Sequence, residues 1–230
     1  MPDIRNPSPR EPQPFVPALR YKWATGLYDQ VIERFTRGKS LRRLSVAAAV
    51  PQAGETILDL GCGTGDLTVA LAESQPDANI TGYDIDPAIL AIARAKLESR
   101  NLSASVKLRE ISVDEPALLP IHDIGRFDCV VSSLVFHHLT HDQKQKALKS
   151  VKALLRPGGR FVLIDWGPGT SWLMKAAFWQ VRMFDGMAVT ADNALGTLPA
   201  LMDTAGFSKI TASPMLNTIF GTVWLYHASI

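Results

Sequence analysis

Read as apolar and polar positions, the chain switches repeatedly between two periods from residue 56 onward. Short apolar runs bounded by turn residues predict strands at TILDL (56–60), NITGYDI (79–85), SVKLREIS (105–112), FDCVVSS (127–133) and RFVLIDW (160–166). Between them, apolar residues recur at helical spacing in DLTVALAES (66–74), in PAILAIARAKLESR (87–100) and over 140–155. Strands separated by helices predict an α/β fold, a doubly wound sheet with a largely parallel core and helices on both faces. After Gly167 the alternation gives way to an aromatic-rich helical stretch (171–185). LGTLPALMDTAG then reads as a helix, and FSKITASP and TIFGTVWLYHAS as strands that can pair as an edge hairpin. Upstream, two helical segments are expected over 21–50, the second in LRRLSVAAAV. Prolines at 2, 7, 9, 12, 14 and 17 predict a disordered tail over 1–17, ahead of a single domain over 18–230.

Composition narrows the class without changing that picture. Apolar residues at 47% against 20% charged describe a globular chain, not a disordered one. A net charge of +2 is too mild for a nucleic-acid partner, which calls for a concentrated basic face. Two cysteines, Cys62 and Cys129, make no disulfide framework, and reduced cytoplasmic thiols are the expectation. The opening MPDIRNPSPREPQPF lacks the apolar core of a secretory signal. Apolar runs such as 44–50 fall far short of the roughly 18 residues of a spanning helix, so membrane contact is peripheral at most.

The strongest local signal is ILDLGCGTGDLT (57–68). Gly61, Gly63 and Gly65 sit between a buried strand and a helix, where an open α/β sheet binds its ligand. Glycines there let the backbone turn sharply and approach a ligand, and the helix start offers N–H groups to a carboxylate or phosphate. The bland alternative is a tight strand–helix turn. The spacing G-x-G-x-G differs from the G-x-G-x-x-G of dinucleotide sites, which counts against a nicotinamide dehydrogenase. Asp84 ends the second strand, where an acid can accept two hydrogen bonds from a ribose diol. Asp86, directly before Pro87, better fits the cap of the next helix.

With these residues in view, the chain resembles the class I S-adenosylmethionine-dependent methyltransferases. ILDLGCGTG resembles their first motif and GYDID their second. ALLPIHDIGRFDCVVSSLVFHHL resembles their LP…FD.V….HHL stretch, and LLRPGGRFVLID their proline–glycine turn and strand. The resemblance spans about residues 56–166, with an echo at Ala205-Gly206-Phe207. It implies a Rossmann-like seven-stranded sheet with the last strand antiparallel. It also implies S-adenosylmethionine as cofactor, S-adenosylhomocysteine as product, and in-line methyl transfer to a small-molecule acceptor. On the cofactor side it implies Gly61, Cys62, Gly63, Thr64 and Gly65 around the amino-acid end, with Asp59 orienting the amino group. Asp84 and Ile85 would follow along the cofactor, with Ser112, Val113, Ser132 and His138. The family's Gly-Asp-Ala after the third strand is replaced by Glu110-Ile111-Ser112-Val113-Asp114, which leaves Ser112 and Asp114 both candidates for adenine. Cys62 reads as a loop filler and Cys129 as strand core.

Three of the five histidines fall in Phe136-His137-His138-Leu139-Thr140-His141. Thr140 with Gln143 forms a capping box, so the helix starts at His141, the i, i+4 pair of His137 and His141 is not helical, and no metal is expected. His137 and His138 then lie in the loop after the fourth strand, at the sheet's carboxyl edge. His137 reads either as a general base, work that suits histidine, or as a loop residue bonded to backbone. Asp165, with Trp166 at the end of the fifth strand, either orients an acceptor or caps the next helix. Trp172, Ala176, Trp179 and Met183 share one helical face and read as core that can also line a pocket in an acceptor-covering segment, 167–195.

RYKWATGLYDQVIERFTRGKS and GTLPALMDTAGF resemble the ubiquinone and menaquinone C-methyltransferase branch, although those enzymes carry Arg-Asn where this chain has His137-His138. The acceptor therefore stays open among a phenol, quinol, amine or lipid-like molecule. Tyr21, Tyr28, Trp166 and Trp179 are candidates to contact it, with Trp23 and the helical cap over 18–50 closing above the cofactor. The run Arg34, Arg37, Lys39, Arg42 and Arg43 reads as a solvated face or as a contact to anionic lipid. A non-catalytic cofactor-binding module or regulatory subunit is the alternative class. No Asn/Asp-Pro-Pro-aromatic motif follows the fourth strand, which counts against nucleic-acid methylation.

Overall fold

The computed structural model describes residues 38–230. Five strands follow the predicted runs: β1 (Thr56–Leu60), β2 (Asn79–Asp84), β3 (Val106–Glu110), β4 (Phe127–Ser133) and β5 (Leu155–Trp166). β6 (Ser208–Thr218) and β7 (Gly221–Ser229) close the chain. Together they form one seven-stranded sheet in the order β3-β2-β1-β4-β5-β7-β6. The first five pair in parallel, whereas β7 runs antiparallel to both β5 and β6. The terminal hairpin thus forms as expected, with β7 inside the sheet and β6 at its edge. β5 begins earlier than its apolar run because Leu155 already pairs with Phe127, ahead of a register shift.

Both faces of the sheet are covered, which is why the strands read as continuous apolar runs. On one face Leu58, Val130, Phe161 and Leu163 pack with Leu148 and Leu154 of α4 (His141–Leu154) and Met202 of α7 (Leu198–Thr204). On the other, Ile57, Cys129, Val131, Val162 and Ile164 pack with three helices: α1 (Gly38–Ala49) through Leu41, α2 (Asp66–Ser74) through Leu71 and α3 (Pro87–Ser99) through Leu97. Each such side chain contributes about 1.5–3 kcal/mol on burial, enough that a charge at any of these positions would break a layer. Cys62 and Cys129 are free and buried. Burial pushes the Cys129 thiol up to about 12, and burial with Asp59 and Asp84 nearby pushes Cys62 well above the usual thiol range. Neither is a ready nucleophile.

One helix departs from expectation. In α5 (Trp172–Asp185) the predicted stripe is the solvent face: Trp172, Trp179 and Met183 are 75%, 54% and 58% exposed, and Ala176 is exposed too. The residue that anchors the helix is Phe178, off that stripe, with its ring 5.7 Å from that of Trp166. It packs closely over Gly221, where a Cβ would lie 3.0 Å from that of Phe178. The buried face is the one that carries Phe178, not the one the apolar period marks. A short α6 (Ala191–Leu195) follows.

The tail over 1–17, the first predicted helix, Tyr21, Trp23, Tyr28, Arg34 and Arg37 lie outside the described residues. Lys39, Arg42 and Arg43 sit on α1, where Arg42 pairs with Asp66 at 3.1 Å. No helix among the described residues is long and apolar enough to cross a membrane.

Candidate active site

The strand order reverses between β1 and β4, and the crevice at their carboxyl ends is the ligand position of an open α/β sheet. β1 enters it through the glycine loop, where the N–H groups of Gly61 and Cys62 both donate to the Tyr83 carbonyl at 2.8 and 2.9 Å. Gly61 is left-handed (φ 71°), and a Cβ there would overlap the Val135 methyls, so the loop closes against the segment after β4 only with glycine. Gly65 caps α2 with no side chain of its own across the helix start.

The Gly63 N–H donates to Asp84 Oδ2 at 2.8 Å and the Asp86 N–H to Asp84 Oδ1 at 3.0 Å. Asp84, at the end of β2, therefore orders the loop, a role the sequence did not reveal. Asp86 caps α3 as predicted, accepting from the Ala88 N–H at 2.8 Å. Ile85 beside it is 41% exposed and offers an apolar surface. Asp59 is buried and accepts from Thr68 Oγ1 at 2.6 Å. Burial, opposed by that hydrogen bond and reinforced by Asp84, pushes its pKa up to about 7.

Other expected contacts have partners of their own. Ser132 is buried and gives its hydroxyl to the Leu60 carbonyl at 2.9 Å, bracing β4 to β1. Ser112 bonds Asp114, which also accepts from Gln143 Nε2 at 2.8 Å, so the two adenine candidates are tied to each other. Val113 is buried in the core. Thr64 lies at the loop rim, 3.4 Å from Lys96 Nζ.

Beyond β4 the chain turns through Leu134, a leucine in the left-handed region (φ 58°), which costs about 1–2 kcal/mol. Its N–H is held by the Ile164 carbonyl at 2.8 Å. A single 3₁₀ turn, Phe136–His138, follows, with Phe136 buried as its anchor. His137 is only 4% exposed. Its Nδ1 lies 2.8 Å from Asp165 Oδ1, and its backbone N–H donates to Asp165 Oδ2 at 3.2 Å. Asp165 also accepts from the Trp166 N–H at 2.7 Å. Burial works to raise the Asp165 pKa, but the charge and hydrogen bond of His137, with that N–H, outweigh it and hold the carboxyl below its ordinary range. Asp165 is thus no helix cap; Ser171 caps α5, accepting from the Met174 N–H at 3.2 Å.

The free nitrogen of His137, Nε2, faces Asp185 Oδ2 at 3.7 Å. Burial, with Asp165 adding to it and His137 opposing, raises the Asp185 pKa. His138 lies beside His137 with ring centres 3.9 Å apart and the rings tilted by 42°. Burial and then the neighbouring His137 pull its pKa below the histidine range, although the residue keeps an exposed edge. His141 begins α4 behind its capping box and lies 3.0 Å from Asp192. The expectation of no metal rested on the His137–His141 spacing; the cluster that forms joins His137 to His138 and Asp185 instead. Trp166 is buried edge-on to His137 at 6.4 Å, while Trp179 lies on the outer face of α5. Asp185 is the residue sequence reasoning missed. Its one signal is an acid in the last turn of a helix, where the dipole favours a cation. An open groove of about 300 Å³ between α1 and α2, lined by Lys39, Arg42, Asp66 and Glu73, holds none of the histidine cluster.

A family model described as "Methyltransferase domain" matches residues 58–161. The chain is 34% identical to the demethylmenaquinone methyltransferase of Thermus thermophilus, over 79% of this chain and 88% of that one. The chain belongs to the class I S-adenosylmethionine-dependent methyltransferases. This methyltransferase is also 33% identical to a malonyl-[acyl-carrier protein] O-methyltransferase of Paenibacillus sp., over 86% of its own length and 63% of the relative's. Among solved structures it shares its fold with phosphoethanolamine N-methyltransferase 2 of Haemonchus contortus, in complex with S-adenosyl-L-methionine (TM-score 0.63, 16% identity, 82% of this chain and 52% of that one). The site suits that cofactor: a buried acid with no cation among the described residues paired to it, a glycine-rich loop and an acid beside an exposed apolar residue.

Proposed function

We propose that this methyltransferase methylates an ionisable small-molecule acceptor, a phenol, quinol, amine or lipid-like molecule, with His137 as the general base. The observation that carries the reading is the His137–Asp165 pair at the carboxyl edge of the sheet. The carboxylate holds Nδ1 and leaves Nε2 to receive the acceptor's proton. S-adenosylmethionine supplies a methyl group on a sulfonium that leaves as the thioether S-adenosylhomocysteine. The protein's remaining work is to place the acceptor in line and to keep water out. Asp59 would meet the cofactor's ammonium group, the 61–65 loop its amino-acid end, Asp84 its ribose and Ile85 its adenine. The 167–195 segment, which brings Asp185 to the histidines, would cover the acceptor. The names of the two relatives make a reduced demethylated quinone and a malonyl thioester the first acceptors to try.

The test is transfer of labelled methyl to these acceptors and to simple phenols, by parent and His137→Ala. The variant is expected to lose about 10²–10⁴-fold in kcat and to keep S-adenosylmethionine affinity within about twofold. Equal turnover of the two proteins at every pH would remove His137 as the base. Cofactor binding with no acceptor labelled would favour a binding module.

A further inference from the structure

We propose that His137, His138 and Asp185 form a site for a first-row divalent transition-metal ion of the zinc type, with Asp165 positioning His137. One ligand atom from each of the three residues lies within 4.8 Å of the others, and the His137 Nε2 to Asp185 Oδ2 distance is 3.7 Å. That distance is too long for a hydrogen bond. It is close to the roughly 3.3 Å edge of a tetrahedron built on metal–ligand bonds of about 2.0–2.1 Å. The other separations are within 4.8 Å, so the side chains need to draw together by at most about 1.5 Å to meet on one ion.

The surroundings are those of a metal site on two further counts. Histidine ligands are commonly oriented by a carboxylate on their second nitrogen, and Asp165 holds Nδ1 of His137 in that way, doubled by the backbone bond to the same carboxylate. Charge points the same way. Two carboxylates, Asp165 and Asp185, converge on one imidazole, and Asp185 stands at the C-terminus of α5, where the helix dipole repels an anion. The cation of the last turn, Arg182, is directed to Thr190 and the Met187 carbonyl. A divalent ion between His137 and Asp185 offsets both repulsions. Two imidazoles and one carboxylate suit zinc, iron or cobalt, and not magnesium or calcium, which prefer oxygen.

Three protein ligands leave a fourth position, on the side where His138 and Asp185 are partly exposed. An ion here occupies the Nε2 lone pair that the general-base role uses, so the two roles alternate: the ion-free protein keeps the base, and the ion-loaded protein offers the open position to an acceptor oxygen. That use of the position rests on the methyltransferase reading; ion binding does not.

Tag-free protein stripped with chelator and titrated with cobalt(II) or zinc(II) chloride tests the inference, by visible cobalt absorption and by calorimetry. One equivalent is expected to bind. His138→Ala and Asp185→Asn are each expected to weaken it at least about 10-fold, and Asp165→Asn by about 10–100-fold. Thermal unfolding checks that each variant is folded, and His141→Ala, outside the cluster, is expected to bind as the parent does. Absent binding, binding unchanged in folded His138→Ala and Asp185→Asn, or equal affinity for magnesium would each overturn the proposal. Methyl transfer by the stripped protein would separate the two readings: turnover without ion binding ends this one alone, and ion binding without turnover ends only the other.

Discussion

Along the carboxyl edge of the sheet, the stretch from β1 to β2 is made of backbone, and the stretch from β4 to α5 is made of side chains. On the first, Gly61 and Cys62 hang from one carbonyl of β2 and Gly63 from the carboxylate of Asp84, all within 25 residues of chain. On the second, His137, Asp165 and Asp185 arrive from three separate elements and meet only through packing. A backbone cradle tolerates few changes, because each left-handed glycine is needed where it stands. A side-chain cluster can be rebuilt by moving one helix.

The largest expected effect tests whether the two sides are separable. Phe178→Ala removes the buried anchor of α5 and is expected to cost about 3–5 kcal/mol in denaturant unfolding. Turnover should fall with it while S-adenosylmethionine affinity holds; affinity falling in step with turnover would mean that the two sides are one unit. Next in size, Asp84→Ala is expected to weaken S-adenosylmethionine by about 1–3 kcal/mol by calorimetry, without touching the histidine cluster. Unchanged affinity in a folded variant would sink the ribose assignment.

The smallest effect is a proton. The folded pKa of Asp59 is raised from 3.8 to about 7, so the folded state holds its proton more tightly than the unfolded one. Its contribution to stability is full below about pH 4 and is lost as pH rises toward about 7. Asp59→Asn should flatten that part of the stability–pH curve. An ammonium group bound beside Asp59 favours its ionised form, so cofactor binding near pH 6 should release a fraction of about one proton. Calorimetry in buffers of different ionisation heat reads that fraction, and none released would detach Asp59 from the amino group.

Much of the fold was legible because its signals are local. The apolar runs marked β1, β2 and β4 nearly to the residue, and Thr140 with Gln143 placed the start of α4 and so divided the histidines. The stripe on α5 misled, because a helical period names a face without saying what lies opposite it. Ser132 and Ser112 were legible as positions near the crevice, yet their hydroxyls are engaged within the protein, which no spacing reveals.

The sequence by itself determined the order of strands and helices, the glycine loop and the acid that ends β2. Those features answer to backbone geometry over a few residues: positive φ, period and caps. Only the tertiary structure decided that Asp165 grips His137 and that Asp185 faces its other nitrogen. That meeting depends on where α5 comes to rest, which is set by packing far along the chain, where Phe178 docks between Trp166 and Gly221.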